Sequence, residues 1–218
     1  MEMRRVLLLG ATGLVGSEIL KLLLDDGSIT RVDIISRRAV DSPHAKIDQH
    51  VVDLAEMDRH RDAFAVDQIF CALGTTIRKA GSQSEFRRID RDLPLRAAEF
   101  GREGGARHFL LVSAIGADSG SRVFYNRVKG EAEEAISALE FPSLTIARPS
   151  LLLGPRTEWR LGEELAKPLG WLMPPKYRPI EARDVARVLI EAARADRPGM
   201  RVLESREMRE VTRRHLEL

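Results

Sequence analysis

Short apolar runs alternate with longer amphipathic stretches along most of the chain. The short runs predict buried strands at residues 5–9, 32–35, 50–52, 68–73, 109–112 and 144–147, with a last strand at 201–203. The longer stretches predict helices at 14–24, 84–100, 125–139 and 181–195, with a weaker one at 54–64. The second helix should be interrupted or kinked near Pro94, because proline removes an internal hydrogen bond. This alternation predicts an α/β fold, a doubly wound sheet of mainly parallel strands.

The pattern becomes irregular between residues 149 and 180. Six prolines divide this segment into short pieces around Trp159 and Trp171. We expect a small irregular C-terminal cap over one end of the sheet, so that residues 1–218 form one domain. Trp159, Trp171 and Met173 are expected to fasten the cap to the core, and an apolar wall of a substrate pocket is the alternative.

Composition excludes several classes of protein. With 44% hydrophobic residues among 218, the chain can bury a core and is not a disordered segment. The 35 Lys and Arg against 33 Asp and Glu leave a net charge of +2, too small for a nucleic-acid surface. Cys71 stands alone, so there is no disulfide framework, and we expect it to be a small buried hydrophobe. The five histidines show no metal-ligand spacing, so no metal is expected.

No targeting or membrane segment is evident in the sequence. The apolar run Val6–Leu9 follows two arginines, but Gly10 interrupts it and charged residues come soon afterwards. No stretch approaches the roughly 20 apolar residues that a membrane span needs. We therefore predict a soluble, cytoplasmic protein without a membrane span.

A glycine-rich turn follows the first predicted strand. Gly10, Gly13 and Gly16 form the pattern G-x-x-G-x-x-G in GATGLVG, between a strand and an amphipathic helix. At this place a dinucleotide pyrophosphate can accept hydrogen bonds from the free N–H groups of the helix, and glycines permit its close approach. The alternative is an ordinary strand-to-helix turn. Its position after the first strand favours a dinucleotide site.

The end of the second predicted strand indicates which dinucleotide is bound. A carboxylate about 20 residues beyond the glycines would bind the adenosine ribose of NAD, but this chain has Ser36, Arg37 and Arg38 there. Guanidinium groups and a hydroxyl suit the 2′-phosphate of NADP. A solvated turn is the alternative, and we favour NADP.

Tyr125 and Lys129 form a Y-x-x-x-K pair. Four residues apart on a helix, they share one face, and the ammonium favours the phenolate over the phenol. Tyr125 could then exchange a proton with a substrate, while Lys129 also binds the nicotinamide ribose. Ser113, at the carboxyl end of the fifth strand, could hold the substrate oxygen. The alternatives are a half-buried aromatic residue and a strand-end cap.

Together these features resemble the short-chain dehydrogenase/reductase superfamily, in its atypical branch. The segments CALGTTIRKAG (71–81) and HFLLVSAIGAD (108–118), with Phe86 and Asp90–Asp92 between them, resemble the HIV Tat-interactive protein family. The resemblance covers nearly the whole chain. It implies NADPH binding on a Rossmann fold and an oxidoreductase activity.

The resemblance also implies roles for individual residues. It assigns the pyrophosphate to the glycine loop, at Gly10, Thr12, Gly13, Leu14 and Gly16, and the 2′-phosphate to Arg37 and Arg38. Adenine is assigned to Asp53 and Leu54, in the turn after the third strand. The adenosine ribose is assigned to Leu73, Gly74 and Thr75 after the fourth strand, and the nicotinamide to Pro149 after the sixth. Ala114 departs from the family, since many relatives have a second serine there; if that second serine carries the catalytic hydroxyl, this chain lacks it.

We therefore expect an NADPH-dependent reductase acting on a small-molecule carbonyl or enal. The alternative is a catalytically weak NADPH-binding sensor that acts through a protein partner. The polar segment 75–84 is either a surface loop or a clamp over substrate or cofactor. The cap carries no motif that identifies a substrate.

Overall fold

The computed structural model describes residues 3–154, 174 and 177–216. Its central sheet has seven parallel strands: β1 (Arg4–Leu9), β2 (Ile29–Ser36), β3 (Ile47–Val51), β4 (Gln68–Cys71), β5 (His108–Val112), β6 (Ser143–Arg148) and β9 (Gly199–Glu204). Their spatial order is β3-β2-β1-β4-β5-β6-β9. The strand order reverses between β1 and β4, which confirms the doubly wound Rossmann fold.

Helices cover both faces of the sheet. One face carries α1 (Leu14–Asp25), α6 (Ala182–Ala195) and α7 (Ser205–Leu216). The other carries a pair of 3₁₀ segments (Leu54–Phe64), α4 (Leu93–Glu103) and α5 (Phe124–Ser137). Each face has its own apolar core, because strands buried on both sides point alternate side chains in opposite directions.

The predicted strands and helices are present with shifted ends. β2 and β3 begin three residues earlier than predicted, and β4 ends two residues earlier, at Cys71. Helix α7 was not predicted, because its sequence is largely charged and only a narrow stripe that includes the buried Met208 is apolar. The segment 75–84 contains a short helix, α2 (Ile77–Ala80), and is not only a loop.

The predicted cap is only partly described. It contains β7 (Leu152–Leu153) and β8 (Ile180–Glu181), which pair in parallel, so the cap is not wholly irregular. Trp159, Trp171 and Met173 lie outside the described residues.

The long helix predicted at 84–100 is broken one turn before its proline. It consists of α3 (Gln83–Arg87), a π-helical turn (Arg88–Asp92) and α4. In a regular helix the N–H of residue 94 would bond to the carbonyl of Asp90, but proline has no N–H and its ring crowds that carbonyl. The wider π turn accommodates the proline, so the predicted interruption is present as the π turn Arg88–Asp92.

Cys71 lies at the end of β4 and is fully buried. Burial raises the pKa of its thiol to about 11. These observations confirm the prediction that Cys71 packs as a small hydrophobe.

The glycine loop is packed backbone against backbone. A Cβ atom on Gly10 would lie 2.5 Å from the carbonyl oxygen of Ala72, and one on Gly16 would lie 2.1 Å from the carbonyl oxygen of Gly10. Gly10 also has a φ of +83°, which other residues rarely adopt. These two glycines are therefore required by the packing of β1, α1 and β4.

We predict that Gly16→Ala lowers the free energy of unfolding by about 1–3 kcal/mol, because the added methyl group must push the loop away from α1. Chemical denaturation of both proteins measures the difference. Gly27→Ala is the matched control, since a Cβ there meets nothing within 4 Å, and its stability should stay within about 0.5 kcal/mol of wild type. Equal stability of the two variants would contradict the packing explanation.

Candidate cofactor and catalytic site

The residues predicted from the sequence lie at one edge of the sheet, because the carboxyl ends of parallel strands meet there. The glycine loop follows β1, the paired arginines follow β2, and single turns follow each of the next four strands. In chain order these turns contain Asp53 and Leu54 after β3, Leu73–Thr75 after β4, Ser113 after β5 and Pro149 after β6.

Helix α1 presents its N-terminus at this edge. Gly13 is its N-cap and provides no side-chain hydrogen bond, and the first turn holds no acidic residue. Thr12 and Gly13 are exposed, while Leu14 is half-buried. The unpaired N–H groups and the positive end of the helix dipole therefore face solvent, which suits an anionic pyrophosphate.

The end of β2 presents two exposed guanidinium groups. Arg37 and Arg38 are both exposed, whereas Ser36 is buried and its hydroxyl donates to the carbonyl oxygen of Arg38 over 2.6 Å. Ser36 thus shapes the turn that presents the arginines. Nearby, Glu85 accepts two hydrogen bonds from Arg88, and these lower the pKa of the Glu85 carboxyl.

The turn after β3 is partly occupied by a helix cap. The carboxylate of Asp53 accepts a hydrogen bond from the N–H of Ala55 over 2.9 Å, which caps the 3₁₀ segments. Asp53 is exposed and Leu54 is buried beside it. One exposed polar group next to an apolar side chain is an arrangement that can border an adenine ring.

Lys129 is buried on α5, next to a carboxylate that sequence analysis did not assign. Its Nζ lies 2.8 Å from Oδ1 of Asp90, and the two side chains are almost fully buried. Burial alone disfavours the ammonium, but Asp90, Tyr125 and Cys71 together outweigh this effect and raise the pKa of Lys129. Tyr125 is half-buried one turn earlier, its ring 5.3 Å from that of Phe86. The structure thus brings Tyr125 and Lys129 together and adds Asp90.

Ser113 makes a different contact from the one expected. It is buried, and its hydroxyl donates to the carboxylate of Glu133, on α5. Arg148 forms a salt bridge with the same carboxylate, with a shortest contact of 2.5 Å. The next two residues, Ala114 and Ile115, carry no hydroxyl group. The Ser113 hydroxyl therefore forms a hydrogen bond with the Glu133–Arg148 ion pair in this structure.

The turns after β4 and β6 contact other parts of this edge of the sheet. Pro149 is buried, and its carbonyl accepts a hydrogen bond from the N–H of Ile115 over 2.9 Å. Gly74 is exposed, and a Cβ on it would lie 3.7 Å from Nζ of Lys129. Leu73 is buried beneath it. The turn after β4 therefore adjoins both the glycine loop, through Ala72, and the lysine.

Sequence reasoning missed two functional candidates, Asp90 and Glu133. Asp90 stands four residues before Pro94, where a helix must rearrange, and Glu133 lies one turn beyond Lys129 on the same face of the helix. These spacings could have indicated both carboxylates. Nothing in the sequence indicates their partners.

One group of metal-ligand side chains occurs in the described part of the chain. Asp33, Asp48 and His50 bring ligand atoms within 4.8 Å of one another. The guanidinium of Arg31 donates to both carboxylates. The guanidinium of Arg31 thus already supplies the positive charge that a metal ion would bring to these two carboxylates.

The family of the chain follows from a comparison with models of protein families. The model described as NAD(P)H-binding matches residues 10–196, from the first glycine of the loop to the end of α6. The chain belongs to this NAD(P)H-binding family.

Individual members of the family agree with the resemblance noted above. Protein HTATIP2 of Rattus norvegicus is 40% identical over 171 residues, which are 77% of this chain and 70% of that protein. The FMP52-1 protein of Scheffersomyces stipitis is 34% identical over 223 residues, covering 93% of this chain and 96% of that protein. The expected relation to the HIV Tat-interactive proteins is confirmed.

Solved structures support the fold. MoeE5, solved with UDP-glucose and NAD, superposes with a TM-score of 0.73 at 18% identity, over 91% of this chain and 75% of that chain. At this identity the likeness establishes the Rossmann fold and nothing about substrate.

The predicted cytoplasmic location is wrong on these comparisons. Six matching FMP52 relatives of this NAD(P)H-binding protein carry the word mitochondrial in their names. That prediction depended on the absence of a recognisable leader segment, and such an absence does not determine where a protein is located. Among the described helices, none combines the length and apolar character needed to cross a bilayer.

We predict that Ser113→Ala lowers the free energy of unfolding by about 1.5–3 kcal/mol, because a buried carboxylate loses a charge-assisted hydrogen bond. Ser119→Ala is the control, since Ser119 donates to Glu134 at the exposed surface, and it should change stability by less than about 0.5 kcal/mol. Denaturant unfolding distinguishes the two. A Ser113→Ala protein as stable as wild type would contradict a structural role for this hydroxyl.

Proposed function

We propose that this NAD(P)H-binding protein is an NADPH-dependent reductase, in which Tyr125 donates a proton to the oxygen of a carbonyl or enal substrate. One observation carries the proposal. Tyr125 shares a helix face with a buried, charged Lys129, and Gly74 brings that lysine next to the turn which also packs on the glycine loop. A proton donor and a dinucleotide loop thus meet at one edge of the sheet.

The residues present fit a bound dinucleotide. Helix α1 begins without a side-chain cap, and the exposed Arg37 and Arg38 follow β2 where an NAD-binding protein would have a carboxylate. Two guanidinium groups favour a 2′-phosphate, so we assign NADPH over NADH. Family membership gives NAD(P)H binding without distinguishing the two cofactors.

The chemistry divides between cofactor and protein. Bound NADPH supplies the hydride. Tyr125 supplies the proton from its phenol oxygen, so that the substrate gains two electrons and two hydrogens in all. Lys129 retains its positive charge beside Tyr125 and stabilises the phenolate left after proton transfer. The buried Leu73 and Pro149 limit access of water from the sheet side.

Ser113 has a less direct place in this proposal. Its hydroxyl would have to leave Glu133 before it could hold a substrate oxygen. Turnover of Ser113→Ala measures that role separately from stability, because a substrate contact affects the rate even when folding is intact.

The same contact favours a second candidate function. With Ser113 engaged by Glu133, and with Ala114 and Ile115 after it, the turn offers no free hydroxyl to a substrate. A protein of this kind could bind NADPH, turn over slowly, and signal the cofactor to a protein partner. Failure of a broad panel of carbonyl and enal substrates, with tight NADPH binding, would favour this sensor.

Cofactor selectivity depends on the paired arginines. We predict that Arg37→Ala/Arg38→Ala weakens NADPH binding roughly 10- to 150-fold, the loss of about 1.5–3 kcal/mol, and leaves NADH binding nearly unchanged. Fluorescence titration with both cofactors measures this. The control is Arg201→Ala/Arg206→Ala, two exposed arginines on β9 and α7 that each pair with a glutamate of α7. Equal affinity of wild type for both cofactors would contradict the assignment.

The proton donor is tested by removing one oxygen atom. We predict that Tyr125→Phe lowers turnover about 10²- to 10⁴-fold, the usual contribution of a positioned general acid, with little change in NADPH affinity. Lys129→Ala should lower both turnover and affinity. The exposed Lys21→Ala should lower neither. The assay follows NADPH oxidation on a substrate found in the panel, and full activity of Tyr125→Phe would overturn the assignment.

A further inference from the structure

The carboxylate of Asp90 contacts two parts of the candidate site at once. Oδ1 lies 2.8 Å from Nζ of Lys129, and Oδ2 accepts a hydrogen bond from the backbone N–H of Thr75 over 2.9 Å. Thr75 belongs to the turn after β4, and Lys129 belongs to α5. Asp90 is itself 2% exposed, so solvent cannot substitute for either contact.

We propose that Asp90 is a positioning residue that fixes the ammonium of Lys129 against the turn Leu73–Thr75, and so couples the turn to the Tyr125–Lys129 pair. The use of this coupling in cofactor binding rests on the proposed function. The coupling itself, an ion pair joined to a backbone hydrogen bond, is a property of the folded chain.

The geometry of the ion pair supports this role. Nζ of Lys129 lies 2.8 Å from Oδ1 of Asp90, and an ammonium group has three N–H bonds to offer. Under the proposed function, the phenol oxygen of Tyr125 and a hydroxyl of a bound ribose are further acceptors for this ammonium. Among the described contacts of Lys129, the ion pair with Asp90 is the one that fixes the direction of its long and flexible side chain.

The sequence builds this contact through Pro94. Because the proline cannot bond to the carbonyl of Asp90, the helix widens to the π turn Arg88–Asp92. That turn packs on α5, with the side chain of Asp90 facing Lys129. Pro94 thus imposes an irregularity at the residue whose side chain carries the contact.

The proposal has a consequence for the ionisation of Lys129. Three groups act on its charge: Asp90 from the π turn, Tyr125 from α5 and Cys71 from β4. Asp90 is the strongest of them. Together the three groups outweigh burial and raise the pKa of Lys129 above its ordinary value of 10.5, so the ammonium persists throughout the neutral and mildly alkaline range. In a variant with an uncharged residue in place of Asp90, burial is less opposed and the lysine should lose its proton at a lower pH.

The first experiment measures this ionisation directly in the full chain without cofactor. The chain has six lysines, so proteins labelled with ¹³C at lysine Cε give few NMR signals, and the signal lost in Lys129→Arg identifies Lys129. We expect the titration midpoint of Lys129 in Asp90→Asn to lie about one pH unit or more below that of wild type. Asp92→Asn, in the same π turn but exposed and paired with Arg91, should leave the midpoint unchanged. Equal midpoints in wild type and Asp90→Asn would overturn the proposal.

The second experiment tests the coupling to the cofactor turn. NADPH is titrated at pH 7 and pH 9.5 into wild type, Asp90→Asn and Asp92→Asn. We expect Asp90→Asn to bind several-fold more weakly than the other two, with a larger deficit at pH 9.5, because more of its Lys129 is neutral there. Affinities that match wild type at both pH values would overturn the coupling. If wild type does not bind NADPH, the proposed function fails, while the lysine titration still decides the pairing.

A buried ammonium without a partner can prevent folding, so Asp90→Asn could be recovered only unfolded. The double variant Asp90→Asn/Lys129→Met removes both charges and settles that case. Recovery of a folded protein by the double variant would show that the unpaired ammonium caused the failure, as proposed. An equally unfolded double variant would overturn the pairing as the reason for Asp90.

Discussion

The carbonyl of Ala72 touches the backbone of Gly10 at the point where the strand order reverses. No side chain fits between them, since a Cβ on Gly10 would lie 2.5 Å from that oxygen. This contact holds β1, the start of α1 and the turn after β4 as one unit. The position of Gly74 follows from that unit, and so does its neighbour Lys129. The arrangement of the whole carboxyl edge therefore depends on a close approach that only glycine permits.

Two ion pairs, each with a buried carboxylate, fix α5 against the rest of the molecule. Lys129 pairs with Asp90 on the side of the π turn, and Glu133 pairs with Arg148 on the side of β6. Apolar side chains would allow a helix to slide or rotate at small cost, whereas a displaced buried charge loses its partner and is strongly destabilising. The two pairs lie one helical turn apart on one face. Together they fix the position of α5 along its own axis and its rotation about that axis, and α5 carries Tyr125.

The sequence allowed prediction of what is local. Periodicity located the strands, and spacing alone placed Tyr125 over Lys129 and the glycines before α1. The partners of Ser113 and Lys129 could not be predicted in this way, because Glu133 and Asp90 are brought there by tertiary packing. Helix α7 was not predicted because it has only a narrow stripe of apolar residues and most of its other residues are charged. The cytoplasmic location was an inference from absence, and named relatives contradict it.

Helix α1 packs against α6, which lies near the other end of the chain. During synthesis, α1 leaves the ribosome before α6, the helix that packs on it, because α6 comes much later in the sequence. Until then Ile19 and Leu23, both fully buried in the finished protein, have no permanent cover on that side. Contacts so distant in sequence form slowly, and a chain that waits for them exposes apolar surface. The glycine loop and α1 are therefore synthesised before the helix that completes their packing.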